Sequence, residues 1–224
     1  MASPRQSQRA AARTARRIEL SGAGPAGAEH RPGRWPGASA KFALFGEVLY
    51  TGVLVSVLSV PLVTIPLAAA VGTRHLRRHL RGEESGIGLV GRDLKRGILG
   101  SLVIGFIMVA IIAALLVDLA LATDGIIPGA ALVGVVGWVG LVLVAVALLT
   151  AARLWAPETG WLPAIRSCVD VWRQDVAGLG YLLAAVLVVA VFSWQLLPLI
   201  VPGIGCLILA LLAIPERRRT DDEE

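Results

Sequence analysis

Residues 98 to 121 read ILGSLVIGFIMVAIIAALLVDLAL, a run of 24 in which Asp118 is the one charge. About 20 such residues in helical form cross the hydrocarbon of a bilayer, whereas a water-facing helix of that length carries a polar stripe. The stretch predicts a transmembrane helix, and residues 129 to 152, 176 to 194 and 198 to 214 predict three more. The last opens with Pro198 and Pro202, tolerated in a first turn because no helical partner awaits their missing N–H. Of the 224 residues 56% are hydrophobic and 17% charged, with a mean hydropathy of +0.74, which excludes an ordinary soluble domain. The segments consume nearly everything after Lys41 and leave no room for a second, soluble catalytic domain.

A fifth apolar stretch, residues 48 to 71, lies between Glu47 and Arg74 and is interrupted by Pro61-Leu62-Val63-Thr64-Ile65-Pro66. Two prolines five apart break a helix. The sequence leaves two outcomes: a re-entrant or very short hairpin that returns to its starting side, or one kinked crossing. The distribution of charge favours the hairpin. The fold class expected is therefore all-α: a polytopic transmembrane helical bundle of four full spans plus a proline-broken first hydrophobic element, with cytoplasmic amphipathic helices.

The basic excess is 19 Arg and 2 Lys, and in a membrane protein it records orientation rather than nucleic-acid binding. Residues 74 to 96 hold seven Lys or Arg, residues 153 to 175 three and the end after Ile214 three, while 120 to 128 and 195 to 201 hold none. The positive-inside rule puts the first three regions, and with them the C-terminus, in the cytoplasm. The N-terminal region carries seven Arg before Lys41 and should stay there too, which is the argument for the hairpin. Arg74, Arg77, Arg78 and Arg81 recur at i, i+3, i+4, i+7, with Leu76 and Leu80 on another face, the pattern of a helix lying among anionic headgroups. These four arginines are the candidate lipid or partner surface. A second amphipathic stretch from about Pro163 sets Ile165, Val169, Trp172 and Val176 against Arg166, Asp170 and Arg173. Trp155, Trp172 and Trp194 fall near expected membrane interfaces.

Residues 1 to 41, rich in Ala, Gly, Pro, Ser and Arg, are expected to be a disordered basic tail, 42 to 214 the transmembrane domain, and 215 to 224 a charged cytoplasmic tail. Only Ile18, Glu19 and Leu20 follow the Arg16-Arg17 pair before Ser-Gly, too short an apolar run for a signal peptide. Cys168 and Cys206 are too few for a disulfide framework or a zinc site, and both are read as packing residues.

Motifs that could carry chemistry are weak. Gly86-Ile87-Gly88-Leu89-Val90-Gly91 fits G-x-G-x-x-G, but no strand precedes it, so it reads as a juxtamembrane turn rather than a cofactor loop. His75 and His79 have metal-ligand spacing but sit among arginines that repel a cation, so no metal is expected. Glu47 and Asp118 are the ionisable groups nearest the spans, at their ends, and no Ser or Cys nucleophile has a histidine at its depth. Catalytic residues and cofactors are accordingly expected to be none. Small residues at interface spacing (Gly97, Ser101, Gly105; Ala130, Gly134; Gly180, Ala184) read as packing within the bundle, with oligomerisation as the alternative.

The order of Pro61, Thr64 and Pro66, the small residues Ala68 to Ala70, the basic run Arg74 to Arg81 and then Gly82-Glu83 resembles the YesL-like family of bacterial integral membrane proteins, over roughly residues 42 to 214. The family pattern has Gly-Pro-Ala at the break, where this chain has Ile65-Pro66-Leu67, and an aromatic-rich stretch where this chain has the aromatic-free run Gly88 to Gly97. The resemblance implies a bacterial cytoplasmic membrane protein with no catalytic residues to carry over, encoded in some relatives beside carbohydrate transporter components. The expected function is a non-enzymatic accessory factor associated with carbohydrate uptake, whose partners are anionic headgroups of the bilayer and such transporter components. The alternative is a small-solute transporter or channel using the break at Pro61, Thr64 and Pro66.

Overall fold

The computed structural model describes residues 38–84, 86–123 and 129–221, with side chains from 41 to 216 within those ranges. The expected disordered tail, the Arg16-Arg17 pair and the last three residues lie outside them. The chain divides into two units, Met1–Ala43 and Leu44–Glu224; of the first only the start of a helix is described, and the packing below concerns the second.

The described residues are helical apart from short connections and hold no strand. The helices are α1 (Ala38–Leu58), α2 (Ile65–Leu80), α3 (Ile87–Thr123), α4 (Ala130–Leu154), α5 (Trp161–Gln174), α6 (Val176–Gln195) and α7 (Ile200–Asp221), with single 3-10 turns at Leu62–Thr64 and Leu197–Leu199. Five of them, α1, α3, α4, α6 and α7, are long and apolar enough to cross a membrane. The all-α bundle expected from the sequence is the fold observed.

Three boundaries differ from expectation. Gly88 and Gly91 lie inside α3, not in a turn; a Cβ at either would meet nothing, so these glycines relieve no crowding. The basic helix at Arg74 is not a separate element: the apolar half of α2, from Ile65, runs straight into it. And α7 continues past Ile214 through Pro215, whose missing N–H leaves the Leu211 carbonyl without its usual helical partner.

The proline break reverses the chain. Glu47 of α1 meets His75 and His79 of α2, and Val55 meets Gly72, so contacts nearer the break in one helix pair with contacts nearer it in the other. The two helices are antiparallel, the hairpin of the two sequence alternatives. Its tip packs on α3: a Cβ at Gly105 would overlap the Val63 carbonyl oxygen, so glycine is what lets the turn approach. From Asp93, level with the arginines of α2, to Gly105 is 12 residues, about 18 Å of helix, and α3 runs about 27 Å further to Thr123. The hairpin therefore reaches only partway along α3.

Helix α2 lies inside the bundle, with Pro66 to Thr73, His75 and Leu76 all buried. One cluster joins Ala68 and Leu76 to Val48 and Val55 of α1 and Ile208 of α7; a second joins Leu67, Ala70 and Val71 to Ala151, Ala152 and Trp155. Where lipid tails are as apolar as leucine, such contacts hold helices together by close packing rather than by exclusion of water. Gly52 and Gly205 show this best, since a Cβ at either would strike a backbone carbonyl of the opposing helix, Val201 or Val48.

Candidate functional site at the arginine-rich end

The second half of α2 carries three pairs of basic side chains at i, i+4, and each pair leaves the helix in its own direction. Residues four apart share a face, while residues one apart are rotated by about 100°. Arg74 and Arg78 point at α3, His75 and His79 at α1, and Arg77 and Arg81 at a groove beside α4 and α7. The single arginine face facing headgroups is thus corrected: Arg74 and Arg78 are largely covered, and Leu76, expected among acyl chains, is fully buried. Leu80 is exposed, as that reading had it.

Towards α3, one carboxylate oxygen of Asp93 accepts from Arg74 Nε at 3.2 Å and from Arg78 Nη2 at 2.8 Å. Asp93 is only 4% exposed, and a carboxylate at that depth persists only when paired. Arg74 also lies 5.9 Å from the centre of the Trp155 ring, within cation–π range. Trp155, the residue after the end of α4, is buried; Gly97 leaves room for its ring, and Trp161 stands 5.9 Å away between centroids. The Trp161 indole N–H donates to Ser101 at 2.7 Å, and the Trp172 indole N–H to Thr150 at 3.1 Å. Gly97, Ser101 and Gly105 therefore serve packing within the chain. In α5 the covered face is Trp161, Ala164 and Cys168, while Ile165 and Val169 are exposed and Val176 belongs to α6.

Towards α1, His75 Nε2 donates to Glu47 Oε1 at 2.6 Å, and His79 Nδ1 lies 3.7 Å from Glu47 Oε2. The other ring nitrogen of the buried His75, Nδ1, has no hydrogen-bond partner among the described residues. The Tyr50 ring covers the imidazole, 5.4 Å between centroids. Among the described residues no group of three or more His, Cys, Asp or Glu is arranged to hold a metal ion.

Towards α4 and α7, Arg77 Nη2 donates at 2.8 Å to the carbonyl of Arg153, one of the last carbonyls of α4 that no helical N–H reaches. Burial first, then repulsion from Arg81, Arg153 and Arg74, lowers the Arg77 pKa below the ordinary arginine value. Arg81, at the rim, is 3.9 Å from Glu83. The Cys168 thiol is buried and its pKa raised by that burial, against the pull of Arg153; Cys206 is exposed on α7, outside the packing role expected of it.

At the break, Pro66 opens α2 and the Thr64 hydroxyl lies 2.5 Å from the Leu58 carbonyl and 2.6 Å from that of Pro61. Thr64 thus closes the end of α1 upon the turn. The cavity beside it, about 380 Å³, is apolar except for Ser56 and Ser59, and the Ser56 hydroxyl is used on the Gly52 carbonyl. Pro61, Thr64 and Pro66 do come together, but as a closed turn. Sequence reading missed Asp93, which stands between Arg92 and Lys95 and passes for a loop charge; its signal was a lone acid within reach of an i, i+4 arginine pair. No family model, no curated protein and no solved structure matches the chain.

Proposed function

We propose that this chain is a multi-pass protein of the bacterial cytoplasmic membrane and a non-enzymatic accessory factor, serving carbohydrate uptake as the YesL-like resemblance implies. The observation that carries the reading is where its polar groups are spent. At the arginine-rich end, Asp93 holds two arginines and Glu47 two histidines, while the break is closed by its own threonine and packed on Gly105. A carrier of polar solutes needs polar groups turned toward a cavity at membrane depth, and the cavity at the break offers little of this. In this reading α1 and α2 form a re-entrant hairpin entered and left from the cytoplasm, and the basic end faces that side by the positive-inside rule.

Purification of the full chain from native membranes is expected to bring down components of a carbohydrate transporter reproducibly, and its deletion to slow uptake of at least one sugar. Recovery of the chain alone, with uptake of every tested sugar unchanged, overturns the accessory reading. The transporter alternative predicts that liposomes holding only this protein pass a sugar or ion and that Thr64→Val abolishes the flux. We expect no flux.

A further inference from the structure

We propose that the groove between α2, α4 and α7 is a binding site for one anionic phospholipid, whose phosphate is held by Arg77, Arg81 and Arg153 and whose chains lie against Leu209, Leu212 and Ala213. The inference rests on the part of the proposed function that places the bundle in a membrane, and on nothing about accessory activity.

The groove has a volume of about 870 Å³ and two unlike ends. Three guanidinium-bearing residues line one, and the leucines of α7 lead away from it into a helix apolar enough to span a bilayer. A ligand that fills both ends is itself charged at one end and apolar at the other. The sign of its charge follows from the arginines. Glu216 is the one acid in the lining, and it is engaged in an interaction of its own. Asp93 is held by Arg74 and Arg78 on another face of α2. Arg77 forms no ion pair among the described residues; it has the Arg153 carbonyl as hydrogen-bond partner and other arginines as its charged neighbours. Arg153 is drawn electrostatically by Asp175, and Arg81 reaches Glu83 only at 3.9 Å. Half-buried positive charge gathered between helices at a membrane surface is a known arrangement for phosphate headgroups, and guanidinium binds phosphate oxygens in pairs.

The test titrates the purified full chain in nonionic detergent with phosphatidylglycerol, phosphatidylcholine and inorganic phosphate, counting bound molecules by native mass spectrometry. One phosphatidylglycerol is expected per chain, bound at least about tenfold more tightly than phosphatidylcholine. Because Arg77 also caps α4, the variants are Arg81→Gln, at an exposed rim position, and Ala213→Trp, which fills the groove from an exposed apolar position and leaves every charge in place. Each is expected to weaken phosphatidylglycerol binding about fivefold or more without lowering the melting temperature. Equal affinity for the two lipids, or unchanged binding in either variant, overturns the proposal. Inorganic phosphate that binds as tightly and is indifferent to Ala213→Trp also overturns it, assigning a small-anion site instead. Failure of the membrane placement is distinguishable, since alkaline carbonate would then release the chain from membranes. Absence of a co-purifying partner leaves lipid binding untouched.

Discussion

Gly105→Val is expected to prevent the bundle from forming. The Cβ it introduces overlaps the Val63 carbonyl oxygen, a backbone atom inside a turn fixed by Pro61, Thr64 and Pro66, which has no rotamer with which to yield. Overpacking against flexible side chains costs about 1–3 kcal/mol, and a collision with backbone at a helix crossing stands at or above the top of that range. Alanine at the same position already carries the Cβ and should be strongly destabilising as well. Gly100→Ala is the control: its Cβ would make an ordinary 3.6 Å contact with Trp161, and removal of a helical glycine stabilises by about 0.5–1 kcal/mol. Size-exclusion profile and thermal unfolding in detergent separate the two, with aggregation or a large fall in Tm for the Gly105 variants and no loss for Gly100→Ala. A well-folded Gly105→Val would mean that the hairpin tip does not rest on α3.

Asp93→Ala is the second large effect. It leaves Arg74 and Arg78 facing one another without their shared acceptor, with side chains 22% and 17% exposed. Breaking a buried pair from one side costs about 3–5 kcal/mol, and partial exposure of the arginines places this case at the lower end, about 3 kcal/mol. The triple variant Asp93→Ala, Arg74→Met, Arg78→Met removes the stranded charges and should recover much of the loss, as apolar replacements of buried ion pairs do. Thermal unfolding of the single and triple variants measures this. A single variant as stable as the parent would show that the arginines find another partner and that Asp93 does not organise the site.

How much of this was legible beforehand follows from what hydropathy can and cannot record. Residues 98 to 121, 129 to 152 and 176 to 194 showed as helices because long apolar runs permit little else in a bilayer, and two prolines announced the turn. The faces of those helices were not legible. In water an apolar side chain points inward, but here Val48 is buried and Trp194 is 87% exposed with no difference in kind between them. That Trp155, at the end of a span, is buried against its neighbours could not be read from hydropathy. The arginines of α2 failed in the opposite way. Their i, i+3, i+4, i+7 spacing describes one broad face, yet Asp93 near the start of the next helix divided that face in two. The pairing itself showed only in the folded chain, as did the groove, whose arginines and leucines come from three separate helices.

Because α1 and α2 are antiparallel, a membrane around the bundle would have Glu47 and the end of α2 on one side. Cysteine accessibility tests it most directly, with Phe42→Cys and Glu83→Cys in a background lacking Cys168 and Cys206, both sites being exposed and flanking the hairpin. A membrane-impermeant maleimide is expected to label neither in intact cells and both in inverted vesicles. Labelling of Phe42→Cys from outside, with Glu83→Cys labelled only from inside, would mean a single crossing and would contradict the hairpin.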